Sequence, residues 1–133
     1  MNKYRDKSDF EINKDVAIAI GAKPFPPERT EFRQCEIPGL ENAIIVKITG
    51  VKTGTFDPCN NPADAMPIVI ENGISLINSD GVHFAAAPGC GIEGYLGGDT
   101  VGYGSRKYSE NENIYRAAME VFLMMKEAEN EKS

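Results

Sequence analysis

The most constrained stretch of the chain, residues 56–67, has the sequence FDPCNNPADAMP. Each proline fixes its own φ and pushes the preceding residue out of the helical region, while Asn and Asp side chains can close turns onto the backbone. Pro62 is a favoured first helical residue, so the stretch predicts a specified turn that opens into a helix ending near Asn72. Pro67 interrupts that helix, and a strand over residues 68–70 is the alternative.

Helical patterns also lie near both ends of the chain. Ser8 and Glu11 form a capping-box pattern, which predicts a helix to about Ile20 with Gly21 ending it. A broad apolar stripe predicts a last helix over residues 111–127, and the Glu-rich residues 127–133 are expected to fray into solvent. The stripe consists of Ile114, Ala117, Ala118, Val121, Phe122 and Met125.

Between these helices the sequence predicts strands. Residues 43–49 are short and β-branched, as in a buried strand. Residues 74–77 and 82–87 predict an antiparallel pair joined by a turn at residues 80–81, whereas the proline-rich residues 23–36 suit an extended surface connection. The predicted fold is therefore α+β, a small, mainly antiparallel sheet covered by helices in a single domain over residues 1–133.

Composition narrows the possible partners and compartment. The net charge is −6, from 20 acidic against 14 basic side chains, which disfavours binding to a nucleic-acid polymer or an anionic membrane. No apolar run approaches the roughly 20 residues that cross a bilayer, and residues 1–6 lack a signal-peptide pattern, so we expect a cytoplasmic protein. Cys35, Cys59 and Cys90 lack metal-ligand spacing and are expected to be free thiols.

Residues 88–105 are rich in glycine and contain a GxGxxG pattern at residues 89–94. A dinucleotide-binding turn of this kind delivers the pyrophosphate to a helix N-terminus, but here more glycine-rich sequence follows. We therefore expect a flexible surface loop, which could fold over a ligand.

No convincing catalytic or metal-binding group can be assembled from the sequence. His83, the only histidine, lies in an apolar strand, and the spacing gives no support for pairing it with Cys59 or Cys90. The turn that contains Asp57, Asn60, Asn61 and Asp64, called here the Asx-rich turn, also lacks the ligand pattern of an EF-hand. We therefore predict no enzyme activity, no metal site and no cofactor.

A small anionic ligand is the more specific prediction. Arg106 and Lys107 supply cations and Tyr108 supplies an aromatic face at one place, as nucleotide binding requires. The Asx-rich turn and the glycine-rich loop could frame the pocket. The predicted lining consists of Asp57, Asn60, Asn61, Asp64, Arg106, Tyr108 and Arg116.

Three stretches carry a family resemblance: residues 9–13 (DFEIN), 56–72 and 116–125 (RAAMEVFLMM). With these stretches the chain resembles the NinX-like family of lambdoid phage accessory proteins. The resemblance implies a small phage α/β sandwich domain and brings no established catalytic residues. Residues 113–116 read NIYR where the family tends to have Asn-Pro-Leu-Arg, and residues 88–105 have no recognised counterpart.

The resulting hypothesis is a phage or prophage accessory protein that binds a small anionic host nucleotide signal and so counters host defence. The alternative is a protein-interaction module that inhibits or redirects a host enzyme, its acidic surface meeting a basic site. The long apolar surface of the last helix, with Met124 beside Met125, also predicts a homo-oligomer.

Overall fold

The computed structural model of the protein describes residues 3–88 and 108–132. The predicted glycine-rich loop therefore lies, apart from Pro88, outside the described residues. In chain order the described elements are α1 (Asp9–Ala19), β1 (Lys23–Pro24), β2 (Ile44–Ile48), β3 (Lys52–Phe56), α2 (Pro62–Glu71), β4 (Ser75–Ser79), β5 (Val82–Ala86), β6 (Tyr108–Glu110) and α3 (Ile114–Lys132). None of these described helices has both the length and the apolarity needed to cross a membrane.

The described strands form two antiparallel sheets of three strands each. One sheet has the order β1-β2-β3 and the other the order β4-β5-β6. The hairpin between β4 and β5 turns at Asp80 and Gly81, which both have positive φ (51° and 78°), as a two-residue primed turn requires. The predicted α+β class is confirmed.

Helix α1 begins as its sequence predicts. The Ser8 hydroxyl accepts a hydrogen bond from the Glu11 amide (3.1 Å), and the Glu11 carboxylate accepts one from the Ser8 amide (3.2 Å). Gly21, at φ 80°, follows the end of the helix. The inner face of the helix is fully buried through Ile12, Val16 and Ala17.

Helix α3 is the central element of the core. It packs against α1, α2, β5 and β6, and its first half is almost completely buried. The helix begins later than predicted, at Ile114, because the side chain of Asn113 caps it by accepting from the amide of Tyr115 (3.0 Å). The buried hydrophobic residues of α3 are Ala117, Ala118, Met119, Val121, Phe122 and Leu123.

The end of α3 also differs from the prediction, since the helix continues to Lys132 instead of ending near Glu127. Glu127 is held by the N-terminal segment, where the Tyr4 hydroxyl donates to its carboxylate at 2.7 Å and the Lys3 ammonium lies 2.9 Å away. These hydrogen bonds, the one from Tyr4 first, lower the pKa of Glu127. The last turns of α3 are therefore tied to the start of the chain.

Three short strands were not predicted. Strand β3 contains Gly54 at φ 146°, and a glycine inside a strand obscures the alternating pattern. Strands β1 and β6 have only two and three residues, and pairing to β2 and β5 defines them. Such pairing depends on contacts that local sequence does not encode.

The helical prediction for the Asx-rich stretch is confirmed, and the alternative strand over residues 68–70 is wrong. The side chain of Asn61 caps α2 by accepting from the amide of Ala63 (3.0 Å), and Pro62 follows at the first helical position. Pro67 lies inside the helix. Because proline has no N–H, the carbonyl of Ala63 lacks its usual partner four residues later.

We predict that Pro67→Ala stabilises the protein. The exposed alanine restores the missing N–H, and the gain should be about 2 kcal/mol after allowing for the greater freedom of the unfolded chain. Urea denaturation measures the free energy of unfolding. Pro62→Ala is the matched control, because the first helical position tolerates proline. Equal effects of the two substitutions would contradict the prediction.

Candidate functional site

The Asx residues predicted for a ligand pocket lie where the starts of the three helices meet. At the centre the side-chain NH2 group of Asn60 donates to the carboxylates of Asp57 (3.1 Å) and Asp9 (3.1 Å). The side-chain oxygen of Asn60 accepts from the side-chain NH2 group of Asn113 (2.9 Å). Asn113 also donates to the carbonyl of Cys59 at 2.6 Å. We call this region the polar junction; it comprises Asp9, Asn13, Asp57, Asn60, Asn61, Asp64, Asn113, Arg116 and Glu120.

Asn13 links the junction to the first sheet. Its side chain is fully buried and donates both to Asp57 (2.6 Å) and to the carbonyl of Asn42 (2.8 Å), next to β2. Its oxygen accepts from the amide of Cys59 at 3.1 Å. A buried amide bonded on both sides holds α1, β2 and the turn in one arrangement.

Asp64 holds the turn from the α2 side. Its carboxylate accepts from the amide of Asp57 (2.9 Å), from the Asn61 side chain (3.2 Å) and from the Lys52 ammonium (2.9 Å). Asp64 is only 8% exposed, and the ion pair with Lys52 compensates its charge. These contacts give the four Asx residues a turn-building role.

Arg116 occupies the deepest part of the polar junction and is only 6% exposed. Its Nε donates to Glu120 and its Nη1 to Asp9, both at 2.6 Å. Its Nη2 donates to the carbonyls of Tyr4 (2.9 Å) and Lys7 (2.6 Å). Most N–H donors of the guanidinium are therefore used within the chain, and its burial leaves little access for a ligand phosphate.

The pKa of Arg116 is consistent with its pairing to two carboxylates. Burial acts to lower its pKa, but the hydrogen bonds to Asp9 and Glu120 outweigh burial and raise the pKa above its ordinary value. Glu120 is 1% exposed and also accepts from the Ser109 hydroxyl at 2.6 Å. A ligand-binding role for Asp57, Asn60, Asn61, Asp64 and Arg116 stays a prediction, and the geometry favours a structural role.

Tyr108 lies at a second place, on the face of the second sheet opposite α3. The register pairs Phe84 with Glu110 and Ala86 with Tyr108, so alternate residues of β5 and β6 share this face. They line an open hollow of about 300 Å³. We call it the aromatic hollow; it is formed by Val82, Phe84, Tyr108 and Glu110.

The aromatic hollow keeps its side chains partly open. Tyr108 is 49% and Val82 37% exposed, whereas Ala85 and Ser109 on the opposite face of the same strands are buried beneath α3. The predicted site residue Arg106 lies outside the described residues. The structure thus brings five of the seven predicted residues together at the polar junction and places Tyr108 in the hollow.

Sequence reasoning missed several members of both sites. Asn13 and Glu120 each stand among apolar residues on a helix face, and a polar residue inside an apolar stripe was the available signal. Glu120 also follows Arg116 at the i, i+4 spacing of an ion pair. Phe84 and Glu110 gave no signal, because their neighbourhood depends on how β5 and β6 pair.

The structure pairs His83 and Cys59 with different neighbours. His83 shares a hydrogen bond with Asn78 across the β4–β5 hairpin. Cys59 is fully buried, and its sulfur lies 3.9 Å from the carbonyl of Asp9. Burial, followed by the nearby carboxylate of Asp9, raises the pKa of the Cys59 thiol. Among the described residues, no cluster of His, Cys, Asp and Glu could hold a metal ion.

We predict that Arg116→Met destabilises the fold by about 3–5 kcal/mol, because it leaves the buried carboxylate of Glu120 without its cation. Denaturant unfolding measures the loss. The control is Arg33→Met, since Arg33 and Glu36 form an exposed pair 3.9 Å apart that should contribute about 0–1 kcal/mol. A loss below about 1 kcal/mol for Arg116→Met would show that the buried ion pairs are not essential.

We also predict that Cys59 resists alkylation in the folded protein. A raised pKa leaves less thiolate at pH near 8, and burial blocks access of the reagent. Treatment with N-ethylmaleimide, followed by peptide mass mapping, should find Cys59 unmodified in the native protein and modified in urea. Native labelling at the rate of a free thiol would contradict this arrangement.

One known protein family matches the part of the chain that contains the described residues of both sites. A protein-family model described as Bacteriophage P22, NinX matches residues 3–126 of the chain. No curated protein and no solved structure matches it. The matched residues contain the whole polar junction and all the described elements except the last turns of α3. The resemblance found in the sequence is confirmed, and the chain belongs to the NinX family of phage accessory proteins.

Proposed function

We propose that this phage accessory protein acts by binding rather than by catalysis, and that it holds a small, nucleotide-like anion in the aromatic hollow. In the host cytoplasm such a protein would sequester a nucleotide signal and so counter host defence. The observation that carries the proposal is the half-exposed ring of Tyr108 beside Phe84 in an open hollow of the second sheet.

The hollow suits the flat base of a nucleotide. Its volume of about 300 Å³ is at the lower end of the range for small-molecule sites. An aromatic ring that stacks on a nucleobase contributes about 1–3 kcal/mol of binding free energy. Tyr108 and Phe84 supply the aromatic faces, and Val82 adds apolar contact.

Glu110 gives the hollow a means of selecting among bases. Its exposed carboxylate lines the same hollow, and a carboxylate accepts hydrogen bonds. It therefore matches bases that present amino or imino N–H groups. Guanine presents both groups side by side, adenine and cytosine present an amino group, and uracil presents only its imino N–H, so guanine fits a carboxylate best.

The phosphate is assigned to Arg106 and Lys107, which directly precede Tyr108 in the sequence. The chain has a net charge of −6, so an anion needs local cations to bind. Arg116 is already paired with Asp9 and Glu120, both 2.6 Å away. Of the predicted lining residues, the proposal therefore retains Arg106 and Tyr108. In this proposal the Asx residues and Arg116 have a structural role.

We predict that one class of nucleotide raises the melting temperature of the purified protein. The panel contains cyclic oligonucleotides, ADP-ribose derivatives and common mononucleotides. A ligand at a hundred times its Kd adds about 2.7 kcal/mol of stability, which corresponds to a rise of roughly 10 °C for a chain of this size. Tyr108→Ala should weaken binding by about 5- to 150-fold through lost stacking, whereas Tyr108→Phe should keep it.

Two controls define this experiment. Val51→Ala, at an exposed position in the turn between β2 and β3, should leave the ligand-induced shift unchanged. Recovery of the ligand with its mass intact separates sequestration from catalysis. A flat panel, or an equal shift in Tyr108→Ala, would contradict the proposal, and a flat panel would favour the protein-interaction alternative.

A further inference from the structure

Helix α2 presents an apolar face to solvent. Its inner face packs on α3 and buries Asp64, Ala65, Ile68 and Val69. On the other side of the helix Ala63, Pro67 and Ile70 are exposed, Ile70 to 72%, and Met66 is half-buried with part of its side chain against the core. We call this outward surface the α2 outer face; it consists of Ala63, Met66, Pro67 and Ile70.

The composition of α2 is unusual for a surface helix. Asp64 and Glu71 are its only charged residues, and Asp64 lies on the buried side. A helix that is apolar on all sides is normally covered on all sides. By contrast, the partly open side of α1 carries Glu11, Lys14 and Asp15. The α2 outer face is therefore suited to contact with another apolar surface.

Pro67 gives this surface a second property. It removes the N–H that would bond the carbonyl of Ala63, so the exposed face combines apolar side chains with a carbonyl oxygen that has lost its usual helical donor. An exposed proline inside a helix reduces stability. Departures from local rules of this kind are expected where a surface serves function.

The charges around the α2 outer face indicate what covers it. Glu71 is exposed at the end of the helix. At the start, the hydrogen bond between Asn60 and Asn113 (2.9 Å) brings α3 close, and the exposed Glu112 precedes Asn113. Carboxylates thus lie near both ends of the face. The ammonium of Lys52 does not offset their charge, because it is paired with Asp64.

These charges select one class of occupant. Nucleic acid and anionic lipid are repelled, and a second copy of the chain carries the same net charge of −6. A protein groove with an apolar centre and basic side chains at its ends is complementary to both features. Helices that dock in such grooves use anchors at spacings of three, four and seven residues, as Ala63, Met66, Pro67 and Ile70 provide.

We propose that the α2 outer face docks into an apolar groove, bordered by Lys or Arg, on another protein. Ile70 is the main anchor, and Glu71 and Glu112 meet the basic border. This surface is separate from the aromatic hollow, so the protein can hold a small ligand and a protein partner at different places. Neither proposal depends on the other.

The first step of the test finds the occupant inside cells. The photoreactive residue p-benzoylphenylalanine replaces Ile70 in one variant and Val51 in the control, which is equally exposed at 72%. We expect a covalent adduct with a different protein from position 70 and none from position 51. An adduct of twice the chain's mass would overturn the proposal in favour of a second copy. No adduct from position 70 would overturn it outright.

The second step uses the captured protein after purification, because capture alone does not locate the interface. Titration should show binding at least about tenfold weaker for Ile70→Lys and unchanged for Val51→Lys. Binding should also weaken as salt rises from about 50 to about 300 mM, since the border contacts are exposed ion pairs. Unchanged binding by Ile70→Lys, or binding that strengthens with salt, would overturn the proposal.

Two further measurements keep the result specific. Ile70 is exposed, so Ile70→Lys should shift the melting temperature by about 2 °C or less, and a folded variant then reports on the interface. Tyr108→Ala should bind the protein partner as the wild type does. Loss of partner binding in Tyr108→Ala would place the contact at the hollow and overturn the assignment to α2.

Discussion

The buried guanidinium of Arg116 is the constraint on which the rest of the fold depends. It joins the N-terminal segment, the start of α1 and the body of α3 through contacts to Asp9, Glu120 and the carbonyl of Tyr4. A buried charge is tolerated only when every partner is in place, so these elements must assemble together. The pairing therefore restricts the fold to one arrangement of its helices, and the exposed surfaces follow from that arrangement.

The polar junction extends this constraint to the Asx-rich turn. Asn60 and Asn13 connect the turn to α1, to the start of α3 and to the first sheet, and Asn61 caps α2. The direction of α2 is thus determined by hydrogen bonds beneath it, and its outer face contributes little to the core. Pro67 on that face can be tolerated because the junction, not the helix's own hydrogen bonds, positions α2.

Local signals in the sequence predicted the elements that local interactions form. The capping box at Ser8 and the first-turn proline at Pro62 place two helices, and the sharp turn at Asp80 and Gly81 places one hairpin. Strands β3 and β6 escaped prediction because Gly54 hides the alternation in one and the other depends on pairing with β5. The predictions of site residues also succeeded only where local sequence was informative. Sequence alone marked the Asx residues and Arg116 as special, but burial decides whether such groups face a ligand or each other.

Burial of the polar groups also explains where binding can occur in this protein. Arg116 and Asp64 are turned inward, and their hydrogen bonds are used by the chain itself. Two surfaces that stay open to contact are apolar or aromatic with a carboxylate beside them, at Tyr108 with Glu110 and at Ile70 with Glu71. Such surfaces gain affinity from excluded water and obtain selectivity from the few charges at their edges. We therefore expect the acidic excess of the chain to disfavour polyanions and to favour partners that bring N–H donors or basic side chains to an apolar contact.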